Sequence, residues 1–253
     1  SRRRNCVRSV EIDLLFLYSS DEGGTPGGAG SRDRGKLSNH EYHVRLARRA
    51  IALMAENRAP GTVEPKAGIL VRHTLNRMVP IEKPGFNAQF GWLDMFATGS
   101  LDGGTPVAVL HTSADGAWHY IRAMYLYGWV PAPAVAFASP RDIRRLTAPE
   151  RFIVVLSHAI PVFAESERRT LLIEAYQGTQ LVLAGRSADG FKVIVPFRKP
   201  DGSLMAVEGW VASDADVSVG WQPFTQANMI RTFFRLLNRP YGWGDSYHER
   251  SCS

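Results

Sequence analysis

The apolar positions change period twice along the chain. From Ser38 onward they fall at helical spacing, with Ala47, Ala50, Ile51 and Met54 on one face and Glu41 in capping-box register with Ser38. This predicts a helix that ends at Ala59-Pro60-Gly61. Over about residues 65–220 the apolar runs shorten to a few positions separated by Gly, Pro and Asp, which predicts many brief strands joined by turns. Helical spacing returns at Ile230, Phe233, Phe234 and Leu237, so a helix with one buried face is expected over about residues 225–237, closed by Asn238 and Pro240.

The strand-rich region repeats itself. Gly104-Thr105 is followed nine residues on by Ser113-Ala114-Asp115-Gly116, and Gly178-Thr179 is followed nine residues on by Ser187-Ala188-Asp189-Gly190. Each copy then reaches Gly-Trp-Val, at Gly128-Trp129-Val130 and Gly209-Trp210-Val211, with seven more residues in the second copy, including Pro200-Asp201-Gly202. A strand (Val107 to Leu110, or Leu181 to Leu183) meets an Asp-Gly turn, and a second strand follows (Trp118 to Met124, or Phe191 to Phe197). At the third strand Gly lets the backbone bend and Trp fills a small core. The excess in the second copy reads as an extended hairpin tip.

These landmarks resemble bacterial SH3 domains, over roughly residues 65–140 and 150–220. The resemblance implies a mainly β fold of two tandem SH3-like barrels, preceded by a helical segment over residues 37–64 and, at residues 1–36, by a flexible leader rich in Gly, Ser, Asp and Arg.

Composition adds little to this picture. The 253 residues are 45% apolar and 21% charged, with 23 Gly and 15 Pro, which suits two or three small β-rich domains. No run of apolar residues is long enough for a membrane-spanning helix, so no stable membrane insertion is expected. The net charge of +6 would assist approach to an anionic surface, but it lacks the basic-aromatic stripe of a nucleic-acid binder, and no nucleic-acid partner is expected. Cys6 and Cys252 stand at opposite ends and define no disulfide framework. The chain starts at Ser1 rather than Met, so any export signal is expected outside this sequence.

Candidate chemistry lies after the last helix. Arg239-Pro240-Tyr241-Gly242-Trp243-Gly244-Asp245 is followed by Arg250-Ser251-Cys252-Ser253, with the Cys eleven residues beyond the Tyr. A helix, Pro-Tyr-Gly-Trp-Gly and Cys-Ser in this order look like the opening of the NlpC family of papain-like cell-wall peptidases. Residues 221–253 would then be the start of an α+β peptidase domain. The resemblance implies that Cys252 is the nucleophile, Tyr241 its neighbouring phenol, and a His beyond Ser253 the base, so residues 1–253 alone would be inactive. Ser251 stands where the family has Asp, and Asp245 where it has a second Gly.

The implied activity is a peptidoglycan stem-peptide endopeptidase that cuts the D-γ-glutamyl–diamino acid bond in the cell envelope, periplasmic or secreted, with the barrels positioning the wall substrate. A thiol mechanism of this kind calls for no cofactor. The alternative is a non-catalytic module that binds wall peptide through its tandem barrels. His248 reads as a loop residue, and His40, His43, His73, His111, His119 and His158 show no metal-site spacing. Trp118, Trp129 and Trp210 are expected in the barrel cores rather than as ligand platforms; for Trp92, in the Phe90-Gly91-Trp92 loop, both readings stay open.

Overall fold

The computed structural model describes residues 39–54, 63–85 and 94–239. A first helix, α1 (Asn39–Met54), is followed by seven strands: β1 (Lys66–Leu70), β2 (Thr74–Arg77), β3 (Ala97–Leu101), β4 (Pro106–Thr112), β5 (Trp118–Arg122), β6 (Tyr127–Pro131) and β7 (Val135–Phe137). A second helix, α2 (Pro140–Thr147), leads to β8 (Phe152–Val155), β9 (Ala159–Phe163), β10 (Leu171–Tyr176), β11 (Gln180–Ser187), β12 (Gly190–Arg198), β13 (Leu204–Ala212) and β14 (Val217–Val219). The third helix, α3 (Gln226–Phe234), comes last.

The first sheet has the order β3-β2-β6-β5-β4-β1-β7 and the second β10-β9-β13-β12-β11-β8-β14. Adding seven to each strand number of the first sheet reproduces the second, so the sequence repeat is a repeat of topology. Within these sheets every named strand pairing is antiparallel. The fold is therefore mainly β, in two barrels. Alternating positions fill each interior: Leu70, Leu101, Val107, Val109, Ile121 and Val130 in the first, and Ile153, Val155, Val162, Val193, Val195 and Val211 in the second.

The repeated Gly-Thr has a backbone reason. Gly104 and Gly178 have φ of 91° and 84°, where a Cβ is disfavoured. Their N–H groups donate to Leu70 O and Val155 O, and the next residues close turns onto Asp102 O and Tyr176 O. In the Asp-Gly turn of the first copy, Asp115 accepts from the Ser113 hydroxyl at 2.5 Å and from Ala117 N–H at 3.0 Å.

The tryptophans depart from expectation. Val130 points into the first barrel, so its neighbour Trp129 must point out, and it is buried between the barrel and α1 against Leu46, Ala50, Met54, Val79, Ile81 and Phe96. Trp118 is partly buried against the same cluster. In the second barrel the equivalent Trp210 is only half-buried, with Lys192 Nζ 5.8 Å from its ring centroid and Lys192 paired to Glu208 at 2.7 Å. Sequence repetition alone does not distinguish the two outer faces; an amphipathic helix covers one and a charged pair borders the other.

Beneath the first barrel's β2–β3 connection, Arg77 Nη1 donates to Asp94 Oδ2 at 2.6 Å with both side chains buried. Asp94 Oδ1 accepts from Gly85 N–H and Phe96 N–H, and Arg77 Nη2 donates to Lys83 O. One ion pair thus ties together both stems of the segment that contains residues 86–93.

The barrels meet through α2 and through the extra residues of the second copy. Ser139 caps α2 by accepting from Asp142 N–H, with Pro140 in the first turn, and Ile143 is buried against Ile69, Val71 and Ala136. The hairpin between β12 and β13 reaches the first barrel's edge: Phe137 N–H donates to Gly202 O at 2.9 Å, Phe137 bridges Ser203 in parallel, and Arg198 Nε donates to Val135 O at 3.0 Å. Its tip is shaped in advance by Asp201, which accepts from Ser203 N–H and from the Ser203 hydroxyl. The predicted long hairpin is present, and it covers an edge strand that would otherwise be open.

Candidate functional site

Cys252 and Tyr241, together with His248, Ser251, Asp245 and Trp92, lie outside the described residues. The structure does describe the element that leads toward them. Thr225 caps α3 by accepting from Asn228 N–H at 3.2 Å, and Asn228 Nδ2 donates to Pro223 O. After Phe234 the chain turns, and Asn238 adopts a φ of 68°, a left-handed conformation that Asn tolerates. The helix is therefore shorter than expected, with a turn over residues 235–238 taking up the rest.

Two polar fastenings hold α3 to the second barrel. Arg235 makes a two-pronged contact with Asp216, Nε to Oδ2 at 2.6 Å and Nη2 to Oδ1 at 3.0 Å. The Gln177 amide donates to Leu156 O at 2.7 Å and to Thr232 O at 3.1 Å. The apolar stripe expected to be buried is instead exposed: Ile230 48%, Phe233 62%, Phe234 66% and Leu237 64%. Its periodicity is right, but the second barrel takes the helix by its polar groups and leaves the apolar stripe outside.

At the same junction, repeat-equivalent positions come together. His73 stands three residues after the end of β1 and His158 three after the end of β8; Asp102 and Tyr176 each stand three before the repeated Thr. His73 Nδ1 lies 3.0 Å from Asp102 Oδ1, and its ring centroid is 4.2 Å from that of Tyr176. The His158 ring meets the other side of the pattern, 5.7 Å from Tyr176 and nearly perpendicular to it. The Tyr176 hydroxyl donates to Glu174 Oε2 at 3.3 Å. His73 and His158, isolated in sequence, thus share one aromatic neighbour in space.

The repeat makes these turns equivalent, and the packing of the two barrels brings them together. The equivalent turns of the two barrels face one another, a relation visible only when the copies are overlaid. The same overlay identifies Gln177, which the sequence reading missed: the first copy has Gly103 there, and only the second copy has a side chain that reaches α3. A His, a carboxylate and a phenol can hydrogen-bond and pass protons, but both cysteines lie outside the described residues. Among the described residues no three His, Cys, Asp or Glu are grouped to hold a metal ion, and no helix is long and apolar enough to cross a membrane.

Residues 82–131, which run from the β2–β3 connection to the end of β6, match the family model of an SH3 domain of the SH3b1 type. Most of the first barrel is thus similar to an SH3 domain. In fold the chain is similar to an NlpC/P60 endopeptidase from Photobacterium damselae subsp. piscicida, with a TM-score of 0.69 at 18% identity over 82% of this chain and 46% of that one. It is also similar to an NlpC/P60 family protein from Bacillus cereus ATCC 10987, with a TM-score of 0.52 at 14% identity over 70% of this chain and 66% of that one. The chain spans less than half the length of the first of these structures. At such identities the likeness is one of fold, and it agrees with the resemblance read from the SH3 landmarks.

Two curated sequences are similar over a short stretch. Bifunctional glutamine synthetase adenylyltransferase/adenylyl-removing enzymes of Burkholderia pseudomallei (strain K96243) and Burkholderia mallei (strain ATCC 23344) are 47% and 46% identical over 55 residues, which is 22% of this chain and 5% of each enzyme. So small a share of those enzymes carries none of their chemistry to this chain.

Proposed function

We propose that this chain is the substrate-positioning part and the first helix of a cell-wall cysteine endopeptidase that cuts the D-γ-glutamyl–diamino acid bond of peptidoglycan stem peptides. The observation that carries this reading is α3. Arg235 and Gln177 fasten it to the second barrel while Ile230, Phe233, Phe234 and Leu237 stay exposed, as suits a helix whose apolar face belongs to the core of a further unit. The residues that follow it are the Pro-Tyr-Gly-Trp-Gly and Ser-Cys motifs, and the fold likeness to an NlpC/P60 endopeptidase over 82% of the chain supports the same assignment.

The division proposed is a leader at residues 1–36, a helical segment at 37–64, barrels at 65–140 and 150–220, and the peptidase start at 221–253. Cys252 would attack the amide carbonyl carbon as thiolate. The tetrahedral intermediate collapses with cleavage of the C–N bond, the amine departs with a proton from the base, and water hydrolyses the remaining thioester. A Cys at a helix start gains from the helix dipole, which stabilises the thiolate, and from backbone N–H groups that receive the oxyanion. Tyr241 is assigned to the substrate side of that thiol. This chemistry belongs in the cell envelope, where its substrate is.

The test is incubation of the full gene product and its Cys252→Ala variant with defined stem tripeptides and tetrapeptides, reading new diamino-acid amine termini by mass spectrometry. Cleavage by the parent alone is expected. Equal product from both proteins refutes the thiol mechanism, and binding without cleavage by the parent leaves a wall-peptide binding module.

A further inference from the structure

The extra residues of the second repeat close a contact between the barrels, and a buried histidine stands behind that contact. His119, on β5 and 8% exposed, packs its ring edge-to-face against Phe137 with centroids 5.5 Å apart. Phe137 is also the residue that receives the hairpin: its N–H donates to Gly202 O, and a Cβ built on Gly202 would stand 3.8 Å from Phe137 Cδ2. His119, Phe137 and the hairpin tip therefore form one continuous stack across the boundary.

The charges that act on His119 among the described residues are positive. Thr112 on β4 stands 3.0 Å from its Nδ1, and Val130 lies across from it on β6. The charged groups that bear on it are Arg198 on β12 and Lys66 on β1. Arg198 also reaches back across the boundary to Val135 O.

We propose that this inter-barrel contact is an acid-sensitive latch, in which protonation of His119 sets a third cation beside Arg198 and Lys66 and releases the β12–β13 hairpin from β7. Near neutral pH the imidazole is uncharged and the hairpin is closed on β7; in acid the barrels stay joined through α2 and the His73–Tyr176 contact, and the hairpin side of the boundary opens. Burial, then Arg198, then Lys66 hold the protonation of His119 below the usual histidine range. A histidine depressed in the closed form binds its proton more readily in the open one. Closure is therefore fully favoured above the ordinary value of about 6.5 and weakens as pH falls through and below it.

The latch is tested by distance measurement in the full chain between spin labels at two exposed sites, Met124→Cys and Asp214→Cys, with Cys6 and Cys252 replaced by Ser. A single distance at pH 7.5 that lengthens and broadens by pH 5 is expected, while far-UV circular dichroism stays constant. Deletion of residues 200–202 should give the broadened distribution at both pH values. His119→Leu should remove the pH dependence. Lys66→Met, which leaves the hairpin contacts in place and removes one of the cations that hold His119 down, should move the transition to higher pH. A parent distance unchanged between pH 7.5 and 5, a deletion variant as tightly distributed as the parent at pH 7.5, or an acid transition identical in the parent and in Lys66→Met overturns the proposal.

Discussion

Asp94 is the position at which one atom-level change should cost the first barrel most. Its carboxylate accepts three hydrogen bonds, from Arg77 Nη1 at 2.6 Å, Gly85 N–H at 2.9 Å and Phe96 N–H at 3.0 Å, and it is 6% exposed. In Asp94→Ala the guanidinium of Arg77 stays buried without its counter-charge, and the two N–H groups lose their acceptor. Hydrogen bonds to charged groups are worth about 1.5–3 kcal/mol each, but the carboxylate also regains hydration in the unfolded chain, so the net loss should follow broken buried pairs at about 3–5 kcal/mol. Urea denaturation followed by tryptophan fluorescence, with Trp129 reporting the first barrel, measures it. Arg77→Met combined with Asp94→Asn should lose about 2 kcal/mol less than the sum of the two single changes, because the double variant buries no lone charge. A loss below about 1 kcal/mol for Asp94→Ala, or additivity within about 0.5 kcal/mol, refutes the account of this pair.

Two further predictions each compare a pair of positions. Trp129→Ala should cost about 3–5 kcal/mol because Trp129 fills the space under α1, whereas Trp210→Ala, at a half-buried site beside Lys192, should cost about 1–2 kcal/mol; equal losses in thermal unfolding would contradict the placement of the two outer faces. Gly128→Ala would put a Cβ 2.6 Å from Asn76 Nδ2 and 2.7 Å from Arg77 O at a φ of 152°, and should cost at least about 2 kcal/mol. Gly104→Ala, at a φ of 91° with nothing within 4 Å, should cost about 1 kcal/mol, so similar unfolding midpoints for the two variants would refute the steric reading.

Much of the architecture was legible because it rests on local chemistry. The Asp-Gly and Gly-Thr positions require turn geometry that few residues supply, so their repeated spacing revealed two copies of one unit, which the structure shows as two sheets of the same strand order. The helical period at Ile230, Phe233, Phe234 and Leu237 likewise identified α3. The second helix, α2, was missed although Ser139, Pro140 and Asp142 form a legible N-terminal signal; its single buried residue, Ile143, is too little for a hydrophobic period.

Tertiary structure decided what each face of these elements touches. A period identifies an apolar side but not the surface that covers it: Trp129 lies under α1, Trp210 beside a charged pair, and the stripe of α3 is exposed. Nor does sequence separation convey that His73 and His158 share Tyr176, or that the extra hairpin of one copy closes the edge of the other. Turn chemistry and hydrophobic period are properties of a few neighbouring residues, so the chain by itself determined the repeat and the central strands of each copy, while the sheet order came from the folded structure. Contacts between the repeats depend on how two finished surfaces fit, and those were decided only when both barrels had formed.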